Sequence, residues 1–120
     1  MPSPERIEEF IGTVERNAHV EAIERFYAPQ ASMQENDKPP RVGRELLVEN
    51  ERAALLHMHA LRSTCMRPVL AAGDHVVIRW VFEFTRPDGT PVKLDELAYQ
   101  RWAGDRIVEE KFFYDPAQLK

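Results

Sequence analysis

The first half of the chain carries apolar residues at helical spacing. After Ser3, a good N-cap, and Pro4, which suits the first helical position, one apolar stripe recurs at i, i+3, i+4 and i+7. Its members are Ile7, Phe10, Ile11 and Val14. A shorter stripe predicts a second helix that ends near Tyr27, because the residue before Pro29 avoids helical geometry. Its members are Val20, Ile23, Phe26 and Tyr27.

A short strand, a loop and a third helix are predicted next. Residues 31–35 have a strand pattern, and residues 36–40 contain two prolines and form a loop that cannot lie inside a sheet. From Gly43 to about His57 the pattern predicts a third amphipathic helix. The face expected to turn inward carries Leu46, Leu47, Asn50, Ala53, Ala54 and His57.

The second half of the chain has the pattern of successive antiparallel strands. Residues 59–70 form the weakest candidate because Pro68 interrupts them, whereas residues 75–85 alternate strictly. One face of that strand carries Ile78, Trp80, Phe82 and Phe84. In the last strand, the predicted inward set is Val108, Glu110, Phe112 and Tyr114.

A tight turn determines which residues of the central hairpin share a face. The segment Arg86–Thr90 matches a type I turn followed by a left-handed glycine at Gly89. If Arg86 flanks Thr90, then Trp80 lies opposite Glu96, and Glu96 shares the face of the aromatic residues. A register slip of one residue would send Glu96 to the other face.

Composition narrows the class of protein. The 120 residues fit one domain, 1–120, that can bury a core without a disulfide, and the single cysteine, Cys65, is expected to be a small buried apolar residue. No signal-peptide pattern and no long apolar run is present, which favours a cytoplasmic protein. The net charge is −4, with scattered basic residues. Nucleic acid and membrane are therefore not expected partners.

The order of these elements resembles the nuclear-transport-factor-two-like superfamily and, within it, the SnoaL-like proteins. The matching stretches are Ala18 to Glu35, Val42-Gly43, Gly73 to Phe84, and Tyr99-Gln100-Arg101-Trp102 through Asp115. The resemblance implies an α+β roll of the cystatin-like type, in which three helices from the N-terminal half pack on the concave face of a cone-shaped, curved antiparallel sheet. It also implies an apolar pocket, frequent homodimers and usually no cofactor. Because this superfamily hosts several enzyme classes and plain binding proteins, the fold alone does not define a function.

The resemblance places one carboxylate at a catalytic position. Glu35 falls where ketosteroid isomerase carries its base, and burial in a poorly hydrated pocket raises the pKa of such a group. Alternatively, Glu35 is a solvated glutamate at the edge of the loop, beside Asn36 and Asp37. The other isomerase positions align with Phe10 or Ile11 and with Ala98, which cannot donate a hydrogen bond to an oxyanion. The positions of limonene epoxide hydrolase align with the apolar Trp80, Phe82 and Phe112. Neither known arrangement is therefore complete.

Two further glutamates face the predicted cavity. Glu96 and Glu110 could share a proton across it and so provide an acid and a base. Alternatively, they lie at the open mouth of the cone or pair with Arg101, Arg106 or Lys111. The expected ligand contacts are Phe10, Asn50, Trp80, Phe82, Gln100, Trp102, Phe112 and Tyr114.

Two further features of the sequence concern a metal site and a dimer interface. His57 and His59 could ligate a metal, but no suitably spaced third ligand accompanies them, so no metal site is predicted. Tyr99 and Phe113 fall on the outer sheet face together with Leu97, and covering this patch predicts a homodimer.

Two functions remain open at this stage. One is a cofactor-independent isomerase, cyclase or dehydratase that acts on an apolar carbonyl or polyketide-like substrate, with Glu35 as base and Glu96 or Glu110 as acid. The other is a binding protein for an apolar small molecule, or a dimeric scaffold whose cavity is filled.

Overall fold

The computed structural model describes residues 1–120 and contains three α-helices and six strands. The helices are α1 (Pro4–Glu15), α2 (His19–Phe26) and α3 (Arg44–Leu55). The strands are β1 (Tyr27–Glu35), β2 (Arg41–Val42), β3 (His59–Ala72), β4 (His75–Thr85), β5 (Pro91–Ala103) and β6 (Arg106–Phe113), followed by a 3₁₀ turn at Pro116–Leu119. None of the helices has both the length and the apolar composition needed to cross a membrane.

The strands form one mixed sheet in the order β2-β1-β6-β5-β4-β3. The antiparallel run β3-β4-β5-β6 confirms the predicted meander. The difference from an all-antiparallel sheet is that β1 pairs with β6 in parallel, which brings Met33 beside Glu110. This pairing places the first strand of the chain against the last. The helices that precede and follow β1 pack on the inner face of the sheet.

The central hairpin has the predicted register. The Arg86 amide donates to the Thr90 carbonyl over 2.8 Å, and Gly89 adopts a φ of 89°, a conformation that favours glycine. Trp80 lies opposite Glu96, and Phe82 lies opposite Leu94. Glu96 is therefore on the inner face of the sheet with the aromatic residues.

The core lies between the helices and the inner face of the sheet. It is one cluster of 19 buried residues, to which α1 contributes its whole predicted stripe. Phe26 is fully buried, and its ring packs edge-on against Phe10 at a centroid distance of 5.5 Å. Cys65 is buried and unpaired, as expected from its lone occurrence.

Two predicted faces are wrong in detail. On α3 the buried residues are Leu47 and Val48, whereas Leu46 is 46% exposed, so the helix is rotated relative to the face expected from its few apolar residues. In β6 the register shifts beside Trp102, and Ile107 is buried in place of Val108. A bulge of this kind reverses the alternation on one side of it.

The predicted ends of the elements shift by a few residues. Helix α2 stops one residue earlier than expected, and β1 begins directly at Tyr27, four residues before the predicted start at Ala31. Pro68 lies within β3, where the register with β4 is irregular between Met66 and Leu70. This position is compatible with proline because β3 is an edge strand.

Candidate functional site

A cavity of about 180 Å³ lies between the helices and the inner face of the sheet. Twelve of its 18 lining residues are hydrophobic, so most of its wall offers no hydrogen bond to water. Five of the lining residues are aromatic: Phe10, Tyr27, Trp80, Phe82 and Phe112. The rings of Trp80 and Phe82 stack at a centroid distance of 5.6 Å and an interplanar angle of 18°.

The structure brings most of the predicted site residues to this cavity. All three candidate catalytic glutamates line it: Glu35, Glu96 and Glu110. Of the expected ligand contacts, Phe10, Asn50, Trp80, Phe82 and Phe112 also line it. The other three do not: Gln100 and Trp102 are fully buried next to Glu110, and Tyr114 lies just beyond the end of β6.

Glu110 is held by two hydrogen-bond donors in the interior. Gln100 Nε2 donates to Glu110 Oε2 over 2.6 Å, and the Tyr27 hydroxyl donates to Glu110 Oε1. Gln100 is itself oriented, because its Oε1 accepts from Trp102 Nε1 over 3.0 Å. Each Glu110 oxygen thus receives one donated hydrogen bond, an arrangement that suits the carboxylate form.

Glu96 has a different environment. Its side chain is on the neighbouring strand, is only 8% exposed, and makes no hydrogen bond or ion pair within the chain. No buried polar side-chain atom lacks a partner, so the Glu96 oxygens are not sealed in the core but face the cavity. The alternative that Glu96 and Glu110 pair with Arg101, Arg106 or Lys111 is wrong: Arg101 pairs with Glu109, and neither glutamate contacts a basic side chain.

The two environments raise the pKa values of both carboxyls to different extents. Burial and the nearby charges of Glu110, Glu35 and Glu51 raise the pKa of Glu96 from 4.5 to about 8. Burial raises the pKa of Glu110 to about 7, and the hydrogen bonds from Gln100 and Tyr27 limit that increase. Because Glu110 receives two hydrogen bonds that favour its carboxylate and Glu96 receives none, Glu110 ionises first and Glu96 keeps its proton to higher pH.

Glu35 lies at the rim of the cavity. Its side chain is 32% exposed, and it forms an ion pair with Arg41 at 3.3 Å. This pairing follows from local structure, because Met33 of β1 is registered with Arg41 of β2 across the intervening turn. Glu35 is thus a partly hydrated, charge-compensated carboxylate, unlike the two inner glutamates.

A second polar cluster forms another part of the wall. His19 Nε2 lies 2.8 Å from Ser63 Oγ, and His19 Nδ1 lies 3.3 Å from Glu51 Oε1. The Ser63 hydroxyl donates its proton to Asn17 Oδ1 over 2.8 Å, so Nε2 must be the donor to Ser63. The His19 ring also packs edge-on against Phe82 at 5.4 Å. This cluster ties α2, α3 and β3 together beside the cavity.

Sequence reasoning missed three polar residues of the wall, namely His19, Tyr27 and Glu51. The helical spacing could have indicated His19, because it precedes the buried Ile23 and Phe26 by four and seven residues. Glu51 likewise follows the buried Leu47 by four residues. Tyr27 had no such signal, because it was assigned to the end of a helix and the structure places it in β1.

The chain contains no cluster of three or more histidine, cysteine, aspartate or glutamate side chains arranged to hold a metal ion. His57 is exposed at the end of α3, and His59 begins β3, also exposed. The carboxyl groups of Glu35, Glu96 and Glu110, which line the cavity, can transfer protons to and from a bound molecule.

Comparison with known proteins identifies the fold and a family. The family model for the SnoaL-like domain matches residues 7–110. No curated protein matches the chain. Among solved structures, an NTF2-like protein of unknown function from Burkholderia pseudomallei K96243 has 16% sequence identity and a TM-score of 0.82, with 96% of this chain and 92% of that chain covered.

Two further solved structures are similar. One is a hypothetical protein with a ketosteroid isomerase-like fold from Catenulispora acidiphila DSM 44928 in complex with trimethylamine; it has 18% identity and a TM-score of 0.79, covering 94% of this chain and 87% of that one. The other is TerC co-crystallised with polyporic acid, with 16% identity and a TM-score of 0.79, covering 96% and 92%. At these identities the likeness demonstrates a shared fold.

Proposed function

Because the chain belongs to the SnoaL-like domain family, we propose that its cavity binds a small, mostly apolar molecule and acts on it by general acid–base catalysis without a cofactor. The observation that carries this proposal is the Glu96 carboxyl, which is buried, has no partner in the chain and lines the same cavity as Glu110. Because its oxygens face the cavity and no group of the chain occupies them, a bound molecule can hydrogen-bond to this carboxyl.

The two inner glutamates take unlike roles in this proposal. Glu96, protonated near neutral pH, donates a proton or a hydrogen bond to a carbonyl or hydroxyl oxygen of the ligand. Glu110, kept anionic by Tyr27 and Gln100, accepts a proton from the adjacent carbon. Pairs of carboxyls with separated pKa values are how one residue type supplies both an acid and a base. Glu35, expected from the sequence to be the base, is not given that role in this proposal, because Arg41 compensates its charge and its side chain is one third exposed.

The size of the cavity limits the substrate. About 180 Å³ is below the roughly 300–1,000 Å³ of pockets for drug-sized ligands. It is close to the ~150 Å³ engineered cavity that holds benzene. We therefore propose a monocyclic or similarly small carbonyl compound. The small ligands bound by the neighbours of this fold, trimethylamine and polyporic acid, support occupancy by small molecules.

Proton exchange in a ketone probe tests this proposal. Acetophenone in deuterated buffer is expected to exchange its methyl protons faster with the protein than without it, because Glu110 removes the proton while Glu96 assists at the oxygen. We expect Glu110→Gln and Glu96→Gln each to lower the enhancement by about 100-fold, the low end of typical acid–base contributions. Proton NMR follows the exchange. The exposed Glu49 is not part of the cavity, so Glu49→Gln is the matched control.

One observation favours a binding protein as the second candidate. Both oxygens of Glu110 already accept a hydrogen bond, which lowers the basicity of a carboxylate. A protein that binds acetophenone, detected by a rise of the melting temperature, without any exchange in the wild type would favour this alternative and contradict catalysis of proton transfer. The open cavity argues against a scaffold with a filled interior.

We also propose a homodimer through the outer face of the sheet. Three apolar residues are exposed together on β5 and β6: Leu97 44%, Tyr99 44% and Phe113 45%. On the same face Arg79 pairs with Asp95 and Arg101 with Glu109, and the unpaired Lys111 lies 4.9 Å over the Phe113 ring. The face is therefore an apolar strip with mostly paired charges beside it, which fits an identical copy.

The oligomeric state is expected to depend on this face. Phe113→Lys should convert the dimer to a monomer in sedimentation equilibrium, because it buries a charge in the apolar strip. Leu56→Lys changes an apolar residue that is 75% exposed at the end of α3 and should leave the dimer intact. A wild-type chain that sediments as a monomer at millimolar concentration contradicts the proposal.

A further inference from the structure

The wall of the cavity is acidic and contains no strongly basic side chain. Four glutamates line it, Glu35, Glu51, Glu96 and Glu110, together with one histidine, His19. The chain has 16 lysine and arginine residues, none of which lines the cavity. An anionic ligand would meet only repulsion from these carboxylates, whereas a cation would be attracted.

The two inner glutamates have no basic side chain within ion-pair distance. Arg41 pairs with Glu35 at 3.3 Å, and the His19 ring, a cation only when it is protonated, lies 3.3 Å from Glu51. Glu110 receives neutral donors only, and Glu96 has no partner although it is 8% exposed. These two glutamates of the wall can therefore attract a positive charge that the chain itself does not provide.

Aromatic rings line the same cavity as these glutamates. Trp80 is the direct cross-strand neighbour of Glu96 on the inner face, and its ring stacks with that of Phe82. Phe112 is the neighbour of Glu35 in the β1–β6 pairing and also lines the cavity. A cation over the face of a tryptophan, tyrosine or phenylalanine ring is stabilised by about 0.5–2 kcal/mol, most strongly when water is excluded.

We propose that the small carbonyl ligand of this cavity also carries an amine, bound as its ammonium ion, which pairs with the Glu110 carboxylate and contacts the aromatic rings of the wall, Trp80 among them. This inference rests on the proposed function, in which the cavity is the ligand site, and it adds the charge of the ligand. One bound positive charge matches one ionised carboxylate, so Glu110 forms the ion pair and Glu96 keeps its proton as the acid.

The affinity for a cation depends on pH. At pH 6 both inner carboxyls are mostly protonated, so a cation must displace a proton from Glu110; at pH 8 it need not. The other titratable or charged groups near these two carboxyls are Glu35 with its partner Arg41, Glu51, His19, Tyr27 and Tyr114. Because the cation needs an ionised Glu110, whose pKa is about 7, we expect its affinity to fall about tenfold from pH 8 to pH 6.

Two probes of the same shape and different charge test the inference. Phenyltrimethylammonium is a cation, and tert-butylbenzene is its neutral counterpart. In isothermal titration calorimetry at pH 8 we expect the cation to bind at least fivefold more tightly than tert-butylbenzene. At pH 6 we expect the affinity for the cation to be about tenfold lower, and the affinity for the neutral probe to be unchanged. If tert-butylbenzene binds and the cation is equal or weaker at pH 8, the inference is overturned while the ligand cavity stands. If neither probe binds, both fail.

A charge-removing variant separates the ion pair from simple cavity filling. Glu110→Gln is expected to weaken phenyltrimethylammonium at least tenfold at pH 8 and to change the affinity of tert-butylbenzene less than twofold. The neutral probe therefore also reports whether the variant has kept its cavity. Glu49→Gln removes the same charge from the exposed face of α3 and should leave both affinities unchanged. The inference is overturned if the variant loses affinity equally for both probes, or if it loses none for the cation. If the variant does not fold, the pH dependence of cation binding to the wild type tests the inference instead.

Discussion

Glu96→Gln is expected to raise the free energy of unfolding by about 4 kcal/mol at pH 9 and by less than about 1 kcal/mol at pH 5. Glutamine has the shape of a protonated glutamate, so the variant keeps the neutral form that the cavity favours. In the wild type at pH 9 the folded protein must hold an ionised Glu96 with no partner in the chain. The variant removes that cost.

The sign of the effect follows from the direction of the shift. The pKa of Glu96 is higher in the folded protein, about 8, than its ordinary value of 4.5, so the folded state holds the proton more tightly than the unfolded chain. Stability from this source is fully present below pH 4.5 and is lost as the pH rises to about 8. Glu110 adds a loss of the same sign up to about pH 7. At about 1.4 kcal/mol per pH unit for each carboxyl, the wild type should lose about 4 kcal/mol between pH 6 and pH 9.

Urea unfolding at pH 5, 7 and 9 measures this effect. Glu49→Gln is the matched control, because it removes the same charge from an exposed position of α3 that does not line the cavity. We expect the control to keep the wild-type loss of stability at high pH. A Glu96→Gln variant whose stability falls with pH as steeply as that of the wild type would contradict the assignment of Glu96 as the protonated member.

Gln100→Leu is expected to lower the free energy of unfolding by about 4 kcal/mol at pH 8, because one substitution breaks two buried hydrogen bonds. Gln100 donates to the ionised Glu110, and its carbonyl accepts from Trp102 Nε1. Leucine leaves the indole N–H without an acceptor in the core and leaves Glu110 with Tyr27 as its only donor. Leaving a buried group unpaired costs about 1–3 kcal/mol, more when the partner is charged.

The pKa of Glu110 separates this effect from a mere packing defect. Removal of the Gln100 donor should raise the pKa of Glu110 above about 7, so Gln100→Leu should lose more stability at pH 8 than at pH 5. Gln34→Leu is the control, because Gln34 makes a single exposed hydrogen bond to the Lys38 carbonyl, and we expect less than about 1 kcal/mol from it. A loss that is equal at both pH values would mean that Gln100 serves packing only.

The sequence predicted where the helices and strands lie better than it predicted which of their faces are buried. Hydrophobic spacing was sufficient for α1 and for the alternation of β4, and the turn at Gly89 was sufficient to place Glu96 beside Trp80. The α3 face was wrong, because apolar positions are few on that helix and its rotation follows tertiary contacts such as that between Glu51 and His19. The bulge beside Trp102 also has no local sequence signal.

The site depends on contacts between parts of the chain that are far apart. Tyr27 and Glu110 are separated by 83 positions, and the parallel pairing of β1 with β6 brings them together. Neither periodicity nor turn chemistry predicts which of two distant strands will be neighbours. The sequence therefore suggested three candidate carboxylates but could not show that Arg41 compensates Glu35, whereas no cation compensates Glu96 and Glu110.

The most direct test of the central claim is a titration of the glutamate side chains by NMR, with carbon-13 at the carboxyl position. We predict two carboxyls that titrate far above the others, with midpoints near pH 7 and pH 8. Glu110→Gln should remove the first signal, and Glu96→Gln the second. If every glutamate carboxyl of the folded protein titrates below about pH 5.5, well within the ordinary range, then Glu96 and Glu110 are not an acid and base pair, and the proposed chemistry of the cavity is wrong.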